Sequence, residues 1–153
     1  MTVMVIYVDA DACPVKEQVY RAAARYRVPV VVVANGFMRV PPTGVELVMV
    51  GAEPDAADDW IAARAGAGDL VVTADIPLAA RVLERGAVCL DFRGGEFSSR
   101  TIGDAVAMRE LHRYLRDLGE LPGGPAAFSP RDRSRFASKL DAVLARLTRE
   151  TRQ

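Results

Sequence analysis

Five short apolar runs in the first 92 residues, three of them followed by a segment of helical periodicity, constrain the fold more than any other feature. The runs cover 3–8, 30–34, 45–50, 70–74 and 87–90, and the helical segments cover 14–26, 55–65 and 77–86. Strands that are apolar at successive positions are buried on both faces, as in parallel sheets covered by helices. The sequence therefore predicts an α/β fold, a three-layer sandwich around a central parallel sheet of about five strands.

Residues 93–153 are predicted to be mainly helical and to add no further strand. One helix is expected over 102–118, and after a break at Pro122–Pro125 a second helix carries an apolar stripe made of Phe136, Leu140, Val143, Leu144 and Leu147. These two C-terminal helices are expected to pack on the sheet or on a partner chain, so a homo-oligomer formed through them is considered. The length suits a single domain, 1–153, in which 1–92 form the sheet and its crossover helices.

Composition predicts a soluble protein of the cytoplasm. Cys13 and Cys89 offer no disulfide framework or zinc-binding spacing, and no signal peptide or membrane-spanning run is recognisable. The formal net charge is zero, but residues 1–92 carry 12 acidic and 8 basic side chains and residues 93–153 the reverse. An acidic pocket beside a basic flank suits an enzyme acting on a phosphate polymer, although solvated helix faces produce the same asymmetry more often.

Three of the apolar runs end in aspartate, at Asp9, Asp75 and Asp91. Because the carboxyl ends of parallel strands meet at one edge of a sheet, these side chains are expected to converge. The acidic segment 55–59, at the start of a predicted helix, offers a further carboxylate. Crowded carboxylates repel unless a proton or a cation neutralises them, and oxygen donors without histidine favour Mg²⁺ or Mn²⁺ over zinc.

Helix capping is the simpler explanation for any one of these acids taken alone. Asp11, Asp55 and Asp75 each stand just before a predicted helix, where a carboxylate can accept hydrogen bonds from free backbone N–H groups. Asp9 and Asp91 end strands and fit capping less well. The combined pattern favours a cation site, with Asp11 as an alternate or neighbouring ligand.

Two further kinds of phosphate chemistry are considered. Asp9-x-Asp11 after an apolar strand is similar to the first motif of haloacid dehalogenase-type phosphatases, whose first aspartate is the nucleophile. That chemistry needs a lysine nearby, and the chain contains only Lys16 and Lys139. The loop residues Arg39, Arg93 and Arg100 could clamp a phosphate in a bidentate manner, although solvated arginine is the commoner outcome.

Long segments of the chain closely resemble the YaiI/YqxD family of bacterial proteins, which is largely uncharacterised biochemically. The resemblance covers nearly the whole sequence. It is carried by Val8–Lys16, Gly68–Ala79, Arg39–Pro42, Asp55–Asp58, Arg93-Gly94, Gly123–Pro125 and Arg131–Arg133.

The resemblance implies a similarity to PIN-like domains, whose metal-dependent nucleases use acidic residues at the ends of parallel strands and on an intervening helix. By that similarity Asp9 is the first-strand acid, Asp58 the helix acid and Asp75 the fourth-strand acid with Thr73 beside it. Asp91 would be the fourth acid. Some PIN-like domains bind nucleic acids or partners without cutting, so similarity of fold does not establish catalysis.

The leading hypothesis is a phosphodiesterase or nuclease dependent on Mg²⁺ or Mn²⁺, with RNA as the expected substrate. Asp9, Asp58, Asp75 and Asp91 would hold the metal and activate water, and Asp11 would be a further ligand. A non-catalytic module that binds nucleic acid or protein is the first alternative. A phosphatase with an aspartate nucleophile is the second.

Overall fold

The predicted strands form one sheet in the computed structural model, which describes residues 4–120 and 127–152. The sheet has six strands in the order β3-β2-β1-β4-β5-β6. Their bounds are β1 Ile6–Asp9, β2 Val30–Ala34, β3 Val45–Met49, β4 Leu70–Val72, β5 Val88–Leu90 and β6 Glu96–Phe97. The first five are parallel, as predicted, and β6 pairs with β5 in the antiparallel direction.

The sixth strand corrects the expectation that no strand follows residue 92. β6 has only two residues, and its register pairs Phe97 with Cys89 and Glu96 with Leu90. Two residues are too few to produce a recognisable alternation of apolar and polar positions. The strand exists because the chain reverses directly after β5, through a turn that includes Gly94 at φ +90°.

The helices begin and end close to the predicted positions. They are α1 Lys16–Tyr26, α2 Ala56–Arg64, α3 Ile76–Glu84, α4 Ile102–Asp117 and α5 Pro130–Arg152. α1 begins two residues later than predicted, and Pro77 lies in the first turn of α3, where its missing N–H has no cost. The predicted break at Pro122–Pro125 lies outside the described residues. No helix in the described parts of the chain is long and apolar enough to span a membrane.

Helices cover both faces of the sheet, which confirms the three-layer arrangement. Along β1, Ile6 and Val8 are packed in the core with α1 and α5, whereas Tyr7 is packed in the core with α2 and α3. The alternation of strand side chains therefore assigns Asp9 to the same face as Tyr7.

The two C-terminal helices differ in how they are buried. The predicted apolar stripe of α5 is fully within the core beside α1, so this helix packs on the sheet of its own chain. α4 contacts α3 but has no fully buried residue, and Met108, Leu111, Tyr114 and Leu118 are exposed. Assembly through the C-terminal helices stays a prediction.

The strand order reverses between β1 and β4. β2 and β3 extend the sheet on one side of β1, and β4 and β5 extend it on the other. In an open parallel sheet, such a switch point leaves a crevice at the carboxyl ends of the two central strands, where ligands bind. Asp9 ends β1, and Thr73 follows β4 directly.

Candidate functional site

A hydrogen bond joins Asp9 and Thr73 across the switch point. Thr73 Oγ1 donates to Asp9 Oδ2 over 2.8 Å, and the same Oγ1 accepts from the Asp75 backbone N–H over 3.0 Å. The threonine is completely buried. Its hydroxyl therefore fixes the Asp9 carboxylate and the backbone of Asp75 relative to each other.

Asp58 reaches the same place from the first turn of α2. Its carboxyl group lies within reach of the charges of Asp75 and Asp9, and the pKa of Asp58 is raised to about 7. Burial is the largest cause of this raised pKa, followed by the charges of Asp75 and Asp9. A side-chain hydrogen bond with Asp75 raises the pKa further, so this environment favours the protonated form of Asp58.

The carboxyl group of Asp9 is also affected by burial and by neighbouring charges. Its pKa is raised mainly by burial, and the hydrogen bond from Thr73 opposes that effect by stabilising the charged form. The charges of Asp75 and Asp11 raise the pKa further. We call Asp9, Asp58 and Asp75 the carboxylate cluster, because the charge of Asp75 acts on both Asp9 and Asp58, and the charge of Asp9 also acts on Asp58.

Asp75 both caps α3 and belongs to the carboxylate cluster. Its Oδ1 accepts a hydrogen bond from the Leu78 backbone N–H over 2.9 Å, which caps α3. Asp55 stands at the N-cap position of α2, but its side chain forms no capping hydrogen bond. Asp59, which follows Asp58 on α2, forms an exposed ion pair with Arg81, whose Nη1 lies 2.8 Å from Asp59 Oδ1. Of the acids in segment 55–59, Asp58 is thus the one that belongs to the carboxylate cluster.

The Asp91 side chain accepts hydrogen bonds from the backbone of the turn between β5 and β6. Its Oδ1 accepts hydrogen bonds from the backbone N–H groups of Arg93 and Gly95, each over 2.8 Å. Burial, followed by the charges of Asp91 and Asp9, raises the pKa of the Cys89 thiol. Asp91 therefore lies at the predicted edge, where one of its oxygens already holds the backbone.

Asp11 is an exposed residue of the turn that follows β1. Its Oδ2 accepts from the Asn35 backbone N–H over 3.2 Å, which ties this turn to the end of β2. The chain leaves the turn through Ala12, whose φ is +66°. Asp11 acts on the carboxylate cluster through its charge, which raises the pKa of Asp9.

The three candidate phosphate-binding arginines belong to three different loops. Arg39 and Arg100 are exposed loop residues. Arg93 forms an ion pair with Asp132, with Nη1 2.8 Å from Oδ2. Its guanidinium carbon also lies 5.8 Å from the ring centre of Phe128. Arg93 is thus tied to the beginning of α5.

Sequence reasoning gave no role to Asp132 or to the phenylalanines near Arg93. Asp132 is only 8% exposed, and it accepts hydrogen bonds from the backbone and side chain of Ser129 as well as from Arg93. Phe92, Phe97 and Phe128 line an apolar cavity of about 380 Å³ beside it. The one available signal was the segment Arg131–Arg133, which contributed to the family resemblance without an assigned function.

The donor atoms of the carboxylate cluster suit a hard divalent cation. Three carboxylates and the Thr73 hydroxyl offer only oxygen, which Mg²⁺ and Mn²⁺ prefer. Over residues 4–120 and 127–152, no three carboxyl, thiol or imidazole groups are arranged as a preformed metal cage. Burial and the neighbouring carboxylates raise the pKa of Asp58, and a bound cation would neutralise the repulsion among these acids.

Comparison with known proteins places the chain in a family. A protein-family model described as "Uncharacterized BCR, YaiI/YqxD family" matches residues 7–146. The UPF0178 protein of Rhodopseudomonas palustris strain BisB18 is 53% identical over 148 residues, 96% of each chain. A UPF0178 protein of Nitrobacter winogradskyi is 51% identical over 150 residues, which are 97% of this chain and 96% of the relative. No solved structure matches the chain. The protein therefore belongs to the YaiI/YqxD family.

Proposed function

We propose that this protein is a phosphodiesterase that depends on Mg²⁺ or Mn²⁺ and acts on RNA. The observation that carries the proposal is the electrostatic coupling of Asp9, Asp58 and Asp75, which come from three separate elements beside the switch point of the sheet. Asp11 and Asp91 are the outer members of the proposed ligand set, since each already accepts backbone hydrogen bonds.

The unfavourable free energy of burying acids close to one another supports a functional role for the carboxylate cluster. Burial, followed by the charges of neighbouring carboxylates, raises the pKa values of Asp9 and Asp58, so the folded protein holds acids in a place where their charged forms are disfavoured. Groups perturbed by both burial and specific charges, and located in a crevice, are frequent at active sites. The preference for RNA rests on the resemblance to PIN-like nucleases and on the excess of basic residues in 93–153.

The hydrogen bonds around the carboxylate cluster orient two of its members. Thr73 engages one oxygen of Asp9, and the Leu78 N–H engages one oxygen of Asp75. Fixed carboxylate planes bind a cation with less loss of side-chain entropy. A divalent cation held by Asp9, Asp58 and Asp75 would supply an activated water and neutralise charge on the phosphodiester.

Thermal denaturation with and without manganese tests the metal site. Mn²⁺ is expected to raise the melting temperature of the wild type above its value in EDTA, and Asp75→Asn is expected to abolish the rise. Asparagine retains the oxygen that caps α3, so the variant is expected to fold. Asp59→Asn, on the same edge but paired with Arg81, is the matched control and should retain the rise. A wild-type melting temperature that does not change on addition of Mn²⁺ contradicts the proposal.

Cleavage of a fluorescent single-stranded RNA then separates enzyme from binding module. Metal-dependent cleavage by wild type and by Asp59→Asn, but not by Asp75→Asn, is the expected result. RNA binding that survives Asp9→Asn, without cleavage in any metal, would indicate a non-catalytic module instead.

Lys16 supports phosphatase chemistry as the second candidate. Its Nζ donates to the Cys13 carbonyl over 3.0 Å, so the lysine lies at the turn that follows Asp9 and Asp11. Burial raises the pKa of the Cys13 thiol to about 11, and the charges of Lys16 and Asp9 act on it in opposite directions. Beryllium fluoride, an analogue of an aspartyl phosphate, should stabilise the protein through Asp9 if this chemistry operates. Stabilisation that persists in Asp9→Asn would exclude it.

A further inference from the structure

An apolar cavity of about 380 Å³ opens at the same edge of the sheet as the carboxylate cluster. We call it the aromatic pocket, because Phe92, Phe97 and Phe128 contribute to its wall. Ala74, between Thr73 and Asp75 in the chain, forms part of the same wall. A group bound in the pocket would thus contact Ala74, whose neighbours in the chain, Thr73 and Asp75, lie at the switch point of the sheet.

The aromatic pocket is built by a long-range arrangement of the chain. Phe128 stands just before α5, and the beginning of α5 is held to the β5–β6 turn by the ion pair between Arg93 and Asp132. Gly94 allows this close approach, since a Cβ atom there would lie 2.9 Å from the Arg135 carbonyl oxygen. The wall that includes Phe128 is therefore fixed relative to the strand ends.

The phenylalanines of the pocket are placed differently from a core phenylalanine. Phe136, in the second turn of α5, is completely buried, whereas Phe92, Phe97 and Phe128 each remain partly exposed. Cations lie next to them: the guanidinium carbons of Arg93 and Arg133 are 5.8 and 5.6 Å from the ring centre of Phe128. Partly exposed rings beside arginines form an environment that suits a flat aromatic group followed by a phosphate.

Asp91 adds a polar group to this apolar wall. A carboxylate accepts hydrogen bonds from N–H groups and disfavours an anion within the pocket itself. A nucleobase offers both a flat π-face and N–H groups on its edge, whereas its phosphate would remain outside near the arginines. The cavity volume lies near the lower end of the range for small-ligand sites, in keeping with a group of this size.

We propose that the aromatic pocket binds an unpaired nucleobase of the strand whose phosphodiester lies at the carboxylate cluster. The base must be unpaired because a base within a duplex is stacked and hydrogen-bonded and cannot enter a pocket without leaving the helix. This inference rests on the proposed function and extends it: the substrate is single-stranded RNA, and one base next to the reacting phosphate is held by Phe92, Phe97 and Phe128.

Binding of a fluorescent single-stranded RNA tests the pocket without requiring cleavage. The measurement uses fluorescence anisotropy with Ca²⁺ in place of Mn²⁺, and the strand is checked for integrity afterwards. Phe128→Leu retains an apolar side chain but removes the ring, and is expected to weaken binding about tenfold. Phe37→Leu is the control, since Phe37 is 81% exposed on the β2–β3 loop and lies outside the pocket. Melting temperatures establish that both variants are folded.

Changing the RNA provides a second test that leaves the protein intact. An oligonucleotide with abasic positions should bind wild type about tenfold more weakly, and Phe128→Leu should add no further loss. The duplex of the same sequence should also bind weakly. Equal binding of intact and abasic strands by wild type overturns the inference. Displacement of the strand by an equal concentration of a free mononucleotide also overturns the inference, since the pocket would then be a site for free nucleotides.

The outcomes distinguish this inference from the proposed function. Base-dependent binding that Phe128→Leu weakens, in a protein that never cleaves RNA, supports the pocket and contradicts the phosphodiesterase. Metal-dependent cleavage that is indifferent to abasic substitution and to Phe128→Leu supports the phosphodiesterase and overturns the pocket. A wild type that binds no single-stranded RNA overturns the pocket as well.

Discussion

The charge of Asp75, which caps α3, raises the pKa of Asp58, which lies in the first turn of α2. Burial is the larger cause of the raised pKa, and the charge of Asp9 adds to it. A divalent cation would relieve the repulsion among these acids. The raised pKa of Asp58 therefore connects the folding of the site to its proposed chemistry, and the stability of the protein should be sensitive to both pH and metal.

Stability in EDTA should fall as the pH rises from about 4 to about 7. The folded pKa of Asp58 is about 7 and its ordinary value is 3.8, so between these values the folded state binds more protons than the unfolded state. Melting temperatures measured across this range in EDTA should decline, by roughly 2 to 4 °C for each kcal/mol lost. Asp58→Asn should flatten the decline and melt above wild type at pH 8.

Two controls accompany the pH series. Asp59→Asn should retain the wild-type slope, since Asp59 is exposed and pairs with Arg81. Saturating Mn²⁺ should reduce the wild-type slope, because the cation takes the place of the proton. A slope in Asp58→Asn equal to that of wild type would contradict the assigned origin of the effect.

Thr73→Val should destabilise the protein and loosen the proposed metal site together. Valine has nearly the same shape but loses the hydroxyl that donates to Asp9 and accepts from the Asp75 N–H. Leaving buried partners unsatisfied costs about 1 to 3 kcal/mol, measurable by urea denaturation. Mn²⁺ should then raise the melting temperature less than it does for wild type. Thr73→Ser restores the hydroxyl and should recover both properties; failure of both to recover would assign the loss to packing.

The sequence was sufficient for the part of the site that depends only on parallel strands. Asp9 and Asp75 could be placed at one edge because carboxyl ends of parallel strands meet there. The pattern alone left segment 55–59 open, since the rotation of α2 about its axis decides which acid faces inward; the family resemblance selected Asp58. The contact between Arg93 and Asp132 could not be predicted, because it depends on how the chain returns 39 residues later.

Asp91→Asn should preserve the fold and reduce the effect of Mn²⁺ less than Asp75→Asn does. Asparagine retains an oxygen for the two backbone N–H groups that Asp91 holds, at Arg93 and Gly95. The charge of Asp91 is not among the causes of the raised pKa of Asp9 or of Asp58. Titration of the melting temperature with Mn²⁺ measures the difference between the variants. Equal losses in the two would make Asp91 a full member of the metal site.

Gly94→Ala should loosen the beginning of α5 from the β5–β6 turn. The residue has φ +90°, and an added Cβ would lie 2.9 Å from the Arg135 carbonyl oxygen, a backbone atom that cannot rotate away. The strain of such a conformation costs about 1 to 3 kcal/mol, to be measured by urea denaturation. Gly36→Ala is the matched control, because nothing lies within 4 Å of an added Cβ there.

The same substitution connects stability to the aromatic pocket. If Gly94 sets the distance between the turn and α5, then Gly94→Ala should displace Phe128 and weaken single-stranded RNA binding even where the protein is fully folded. Binding should be measured well below the melting temperature of the variant, beside Gly36→Ala. A destabilised Gly94→Ala protein that binds RNA as well as the control would show that the turn supports the fold and leaves the pocket unchanged. Weakened binding, with the Mn²⁺ effect on melting retained, would separate base recognition from the metal site.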